Sequence, residues 1–336
     1  MTVDLRENEG LIAEINRKHP KFVELAGARL DHLLDMKQRP IDAVPTPFRA
    51  WNVRCRDFGG GVGLARGWHV TLAGNPGHGK SLGALNLTGA GIRHGEQVGW
   101  CSLEMEWHQL TTRLMAIESG ERVQFLEPGA FLDPVIHKRA AYALDRIKEE
   151  TGGSVWVNAR EISELQDVED SILELHEKHG CRFIIVDYMQ LVDVLGVHDR
   201  IEAVTMISHA VRRLAKRLKI ITVGLSQFNR ETAKNYEDSP TPQGLMGGSP
   251  LENDSDQIIL IDHSTYQRNT FGNSARQTLL LAKNRHGSLH KIECVWDYDT
   301  LRIRQADDIP PEDRGEAWEP SHPTPAVPET RTGGER

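Results

Sequence analysis

The chain has 336 residues, 39% of them hydrophobic and 26% charged, with a formal net charge of −8. That composition gives ample material for a core and excludes fibrous and low-complexity classes. No apolar run approaches the roughly 20 residues of a membrane helix.

The acidic start, Met1 to Gly10, has no apolar stretch of the secretory kind, so a cytoplasmic location and no membrane partner are expected. Cys55, Cys101, Cys181 and Cys294 lie far apart with no C-x-x-C pair, which argues against zinc and disulfide frameworks. The negative charge is uneven. Residues 306–336 hold eight acidic residues against three arginines, so that stretch carries −5 and residues 1–305 only −3. A near-neutral body can still present a local basic surface to phosphate.

Residues 1–50 read as a charged, helix-prone arm with apolar positions Leu11, Ile12, Ile15, Val23, Leu30, Leu33 and Leu34, ended by Pro40, Pro45 and Pro47. Residues 51–305 alternate strand-like and helix-like segments, the pattern of an α/β fold with a parallel sheet. Strands are predicted at Trp68–Ala73, Gln97–Leu103, Ser154–Asn158, Phe183–Val186, Ile220–Leu225, Gln257–Ile261, Thr278–Lys283 and Ile292–Trp296. Helices are predicted at Ser81–His94, His108–Glu118, near Val168–Lys178, and at Ile201–Leu218. The last has Ile201, Val204, Ile207, Val211, Leu214 and Leu218 on one stripe. Residues 231–250 show no secondary-structure pattern, and residues 306–336 read as an acidic, Pro-rich disordered tail.

Between the first strand and first helix of this core, Gly74-Asn75-Pro76-Gly77-His78-Gly79-Lys80-Ser81 fits G-x-x-x-x-G-K-[ST], the Walker A loop. Glycines let backbone N–H groups turn inward around phosphates, and the following helix aims its positive end at them. Lys80 would reach the β- and γ-phosphates of ATP, and Ser81 would ligate Mg²⁺. Arg182-Phe183-Ile184-Ile185-Val186-Asp187 has the Walker B shape, an apolar strand delivering one carboxylate to its end. Asp187 would hold Mg²⁺ through water. Tyr188 follows it and cannot activate water. The base therefore comes from elsewhere: Glu104, at the end of the strand after the Walker A helix, or Glu106. Gln227, ending the strand Ile220–Leu225, could hydrogen-bond a γ-phosphate. Lys283 and Arg285, two apart at a strand end, leave one face together.

These motifs together resemble the C-terminal ATPase domain of the DnaB family of replicative helicases. Ser102-Leu103-Glu104-Met105, Val186-Asp187-Tyr188-Met189-Gln190-Leu191, Leu225 to Arg230, Leu251 to Asp256 and Lys283 to Gly287 occur in family order, with Gly59-Gly60-Gly61 ahead of Gly67. The resemblance implies a RecA-like P-loop fold, a mostly parallel sheet flanked by helices. It also implies a ring of six subunits with ATP and Mg²⁺ at each interface, single-stranded DNA as ligand, and a primase or helicase loader as partner. It assigns Glu104 as base, Asp187 to magnesium, Gln227 to the γ-phosphate, and Lys283 with Arg285 to the neighbouring subunit's nucleotide.

Two departures stand out. The family's N-terminal helical domain has no counterpart in the 50 residues ahead of residue 51, which could instead be its linker helix. Met246 falls where the family's DNA-contacting loop carries arginine. Arg230 and Lys234 remain as candidates for DNA phosphate contact. The run Arg212, Arg213, Lys216, Arg217 and Lys219 is either a solvated face or a phosphate surface. Three functions compete on these grounds: a ring-shaped DNA helicase, a recombinase-like or replication accessory ATPase, and an ATP-dependent regulatory switch.

Overall fold

The structure is a computed structural model and describes residues 42–55, 63–127, 133–158, 162–269 and 272–309. The expectations for residues 1–41, for Gly59-Gly60-Gly61 and for the tail beyond residue 309 lie outside the described residues.

The described core is built on a nine-stranded sheet. Its strands, with the helices between them, are β3 (His69–Ala73), α2 (Lys80–Arg93), β4 (Gln97–Ser102), α3 (Trp107–Ser119), α4 (Pro134–Thr151), β5 (Ser154–Val157), α5 (Leu165–His179), β6 (Phe183–Asp187), α6 (Arg200–Leu218) and β7 (Ile221–Ser226). Then follow α7 (Arg230–Lys234), α8 (Gly248–Asp254), β8 (Gln257–Arg268), β9 (Ser274–Asn284), β10 (His290–Asp297) and β11 (Arg302–Gln305). Ahead of β3, β1 (Ala43–Val44) pairs antiparallel with β2 (Leu64–Ala65), and α1 (Arg49–Arg54) lies between them. The order across the sheet is β11-β10-β9-β8-β3-β7-β6-β4-β5. The strands from β8 to β5 are mutually parallel, and β9, β10 and β11 add antiparallel strands on one side.

The apolar runs of β3, β6 and β7 are buried end to end, as strands covered on both faces must be. Side chains alternate between two cores. Phe183 and Ile185 of β6, with Ile259 and Ile261 of β8, join Leu82, Leu85, Leu110, Leu114 and Ile147 of α2, α3 and α4. Ile184, Val186, Ile258 and Leu260 join Val168, Ile172 and Leu175 of α5 and Val204, Ile207, Val211 and Leu214 of α6. The stripe predicted on α6 is buried from Val204 to Leu214, while Ile201 is exposed.

Four features depart from the sequence expectations. α4 is absent from the predicted elements. Only Ala140 and Ile147 are fully buried along its 18 residues, so its apolar stripe is thin. Pro134 at its first turn and Asp133, whose carboxylate accepts the Val135 and Ile136 amides, start it. The stretch 231–250, read as featureless, contains most of α7, a 3₁₀ turn at Pro242–Gly244 and the start of α8. Asn229 caps α7 by accepting the Thr232 amide at 2.9 Å, a local side-chain bond that carries no periodic signal. Strands β8 and β9 run well beyond their predicted ends, forming a long antiparallel pair. Finally, residues 42–51 pack into the core: Val44, Phe48 and Trp51 are buried, and the Trp51 indole donates to Gln257 Oε1 at 2.9 Å. Among the described residues no helix is long and apolar enough to cross a membrane.

Trp296 on β10 is fully buried, and its ring lies under the Walker A loop, where a Cβ on Gly79 would come within 2.5 Å of it. Trp296→Ala leaves a cavity there and is expected to cost about 3–5 kcal/mol in chemical denaturation. A loss below about 1 kcal/mol would mean the ring is not a packing element.

Candidate active site

The loop Gly74–Ser81 leaves the end of β3 and enters α2 at Lys80. Gly77 and Gly79 have φ of 74° and 87°, left-handed values that favour glycine. Crowding adds a second constraint at Gly79, where Trp296 leaves no room for a side chain. Lys80 is 7% exposed, and its ammonium donates to the Asn75 carbonyl at 3.1 Å. Burial lowers its pKa, and the carboxylates of Asp187 and Glu104 partly restore it.

Strand register brings the other predicted groups to the same edge. Ala73 stands opposite Ser226, so Gln227 is level with Gly74. Ser102 stands opposite Asp187, and the Leu103 amide donates to the Asp187 carbonyl at 2.8 Å. Glu104 follows directly and is exposed at this edge. Glu106 is engaged differently. It caps α3 in a capping box with Gln109, and its carboxylate lies 3.1 Å from His108 Nδ1. Of the two candidate bases, Glu104 is the one whose charge reaches both Lys80 and Asp187.

Asp187 is 0% exposed, and neither carboxylate oxygen has a hydrogen-bond partner in the described structure. Burial raises its pKa from 3.8 to about 6; the nearby Ser81 hydroxyl and the cations Lys80 and Arg113 oppose that rise. A buried carboxylate with open lone pairs beside a hydroxyl fits a hard divalent cation that keeps most of its waters. Arg113, on α3, has no motif to mark it, and only the packing of α3 against the sheet reveals it.

The segment after Gln227 folds back on the Walker A loop. Phe228 and Leu245 form an antiparallel bridge, the Met246 amide donates to the Gln227 carbonyl at 2.9 Å, and the Asn75 side-chain amide donates to the Ala233 carbonyl at 3.1 Å. His78, Tyr236 and His263 gather where this segment meets the loop, with ring centroids 5.0 to 6.3 Å apart. Burial, His263 and Lys80 lower the pKa of His78, which favours its neutral ring. Arg230 and Lys234 are both exposed, at i and i+4 on α7.

Lys283 and Arg285 are not brought to this edge. Lys283 pairs in register with Ile258, opposite Thr71 in the middle of β3, and the Arg285 amide donates to the Asp256 carbonyl, level with the start of β3. Five residues of β3 separate that level from Gly74, roughly 16 Å at about 3.3 Å per residue. In the basic run on α6, Arg213 pairs with Glu169 at 2.6 Å and Arg212 with Asp254 at 3.3 Å.

The family described as the DnaB-like helicase C terminal domain matches residues 61–305. The chain is 27% identical over 270 residues to a probable plasmid replicative DNA helicase of Chlamydia psittaci, covering 78% of this chain and 56% of that protein. It is 24% identical over 237 residues to the replicative DNA helicase DnaB of Geobacillus stearothermophilus, covering 70% and 51%. The chain thus spans about half the length of these curated relatives. Among solved structures it is similar to the ATPase domain of G40P, with a TM-score of 0.67 and 18% identity over 91% of this chain and 99% of that one. A structure of a DnaB-like replicative helicase and its interactions with primase gives a TM-score of 0.70 and 19% identity over 89% and 73%. At these identities the structural likeness speaks to the fold.

The raised pKa of Asp187 has a sign. The folded state disfavours its charge, so its penalty is absent below the unfolded value of 3.8 and is fully felt once pH has risen through about 6. Asp187→Asn is therefore expected to stabilise the metal-free, nucleotide-free protein at pH 8 by about 1–3 kcal/mol and to change little near pH 4. Thermal or urea unfolding in the presence of a chelator reads this directly. Destabilisation at pH 8 would show that the carboxylate is already satisfied.

Proposed function

Since the chain belongs to the family of the DnaB-like helicase C-terminal domain, we propose that it is an ATP-dependent DNA helicase. In this reading it couples hydrolysis at subunit interfaces to movement along single-stranded DNA during replication. The observation that carries the reading is the division of the predicted groups between levels of one sheet. Lys80, Ser81, Glu104, Asp187 and Gln227 share the edge of the Walker A loop, whereas Lys283 is level with the middle of β3 and Arg285 with its far end. A pair so far from its own loop can serve a nucleotide only if that nucleotide is bound by another copy. Head-to-tail contacts of this kind generate a ring where the rotation closes and a helical filament where it does not, and a ring of six is the assembly proposed.

The roles follow from position. The amides of Gly74–Ser81 and the end of α2 enclose the phosphates, and Lys80 neutralises the β- and γ-oxygens. Ser81 and Asp187 would hold magnesium, which supplies charge neutralisation between the phosphates when bound. Glu104 takes the proton of the attacking water. Gln227 bonds the γ-phosphate and, through its backbone link to Met246, passes its loss to the segment 229–246. Lys283 and Arg285 of the adjacent subunit stabilise the charge that develops, a contribution on the order of 10³–10⁵ in rate.

Arg230 and Lys234 are proposed to meet DNA phosphates. Residues 51–305 are proposed as the motor, residues 1–50 as the linker to the neighbouring copy, residues 306–336 as an acidic tail, and a primase or loader as the outside partner. One observation favours the second reading, a replication ATPase that does not unwind: Met246 is partly buried at the neck of this segment, where the family carries an arginine.

Unwinding of a forked duplex with ATP and magnesium tests the choice. The wild-type chain should separate the strands. Glu104→Gln should bind ATP normally and lose hydrolysis by about 10²–10⁴-fold, with unwinding lost in step. DNA-stimulated hydrolysis that leaves the fork intact at every protein concentration would replace the helicase with the accessory ATPase.

A further inference from the structure

Lys283 and Arg285 are held by the last turn of α8. The Lys283 ammonium donates to the Glu252 carbonyl and an Arg285 nitrogen donates to the Asn253 carbonyl. Carbonyls at a helix C-terminus lack intrahelical partners and carry partial negative charge, so they attract cations. The Arg285 guanidinium also lies 3.5 Å from Asp256 Oδ1, and the other Asp256 oxygen accepts the His69 amide at 3.0 Å. Where the basic pair stands is thus set by where the end of α8 stands.

Beyond that end the chain is tied to β3, where Ser255 donates its hydroxyl to the Leu251 carbonyl at 2.8 Å and lies 2.7 Å from Thr71 Oγ1, but the side chains of α8 itself give it few directional anchors. α8 has seven residues and no side-chain N-cap. Its entry passes through Gly247 and Gly248, with φ of 111° and 51°. Leu251 and Asp254 are its buried side chains. Leu251 packs in the apolar core and can slide there, because apolar contact is not directional. Asp254 is 1% exposed, and its carboxylate lies 2.7 Å from His209 Nδ1 and 3.3 Å from Arg212 Nη1, both on α6. Hydrogen bonds from a cation to a buried carboxylate are short, directional and roughly twice as strong as neutral ones.

We propose that Asp254 is a positioning residue for the trans-acting pair: it pins the last turn of α8 to α6 and thereby aims Lys283 and Arg285 at the neighbouring subunit's nucleotide. This rests on the shared-site reading above. It predicts that a defect at Asp254 belongs to the face that gives the basic pair, not to the face that binds ATP. Asp254→Ala should lower kcat by about 10–100-fold, the scale of a roughly 1 Å misplacement, with KM for ATP little changed. Asp254→Asn keeps an acceptor oxygen for Arg212 and should recover most of the loss.

Mixing variants assigns the face. In an exchanging ring, Lys80→Ala chains lack the loop lysine but keep the basic pair, and Arg285→Ala chains are the reverse, so mixing these two should restore hydrolysis at some interfaces. Asp254→Ala should recover when mixed with Lys80→Ala and gain nothing when mixed with Arg285→Ala. The opposite pattern, or recovery with neither partner in folded and exchanging rings, overturns the role of Asp254. Failure of the Lys80→Ala and Arg285→Ala pair, despite proven exchange, instead removes the shared-site reading and the inference with it. If Asp254→Ala does not fold, His209→Ala carries the same test: His209 is 59% exposed, and its loss should give the same pattern with a smaller defect.

Discussion

A parallel strand delivers its last residue to the same sheet edge as its parallel neighbours do, and a crevice opens there for ligands. In this chain that geometry acts through register. With Ala73 opposite Ser226 and Leu260, and Ser102 opposite Asp187, the Walker A loop, Gln227, Asp187 and Glu104 fall at one level. A slip of one residue in any of these strands would turn its side chains to the other face and take its functional group with it. The fully buried β3, β6 and β7 prevent such slips, because each apolar residue there already has its own place in one of two cores.

The same constraint makes the site costly before anything binds. Among the described residues neither oxygen of the buried Asp187 has a hydrogen-bond partner, and Lys80, nearly as buried, bonds to a carbonyl of its own loop. A buried charge without full pairing opposes folding. Binding of magnesium and triphosphate would satisfy these groups and stabilise the fold by mass action. The segment 229–246 stands against this loop through Asn75 and against Gln227 through Met246. It continues into α8, whose last carbonyls hold Lys283 and Arg285. One continuous stretch of chain therefore links the Walker A loop to Lys283 and Arg285.

Much of this was legible in the sequence because it is local. The glycine spacing of the Walker A loop, the apolar approach to Asp187 and the strand-end position of Glu104 each lie within a few residues. The strand-end position already favours Glu104 over Glu106, and the capping box with Gln109, which engages Glu106 in starting α3, is the part that the sequence did not show. Arg113 carried no signal either, and Asp254 only its place in the run Leu251 to Asp256, since its contact with His209 and Arg212 depends on α8 meeting α6. α4 was missed for a different reason. Its exposed face is long and its buried face is little more than Ala140 and Ile147, so periodicity had almost nothing to register.

On the proposed reading, one chain cannot complete its own nucleotide site. Turnover per chain, measured against protein concentration while light scattering follows assembly, tests it most directly. The account predicts that ATP hydrolysis per chain falls toward zero as the assembly is diluted into monomers, and that ATP binding to Gly74–Ser81 persists. Constant turnover per chain down to concentrations where only monomers remain would contradict it.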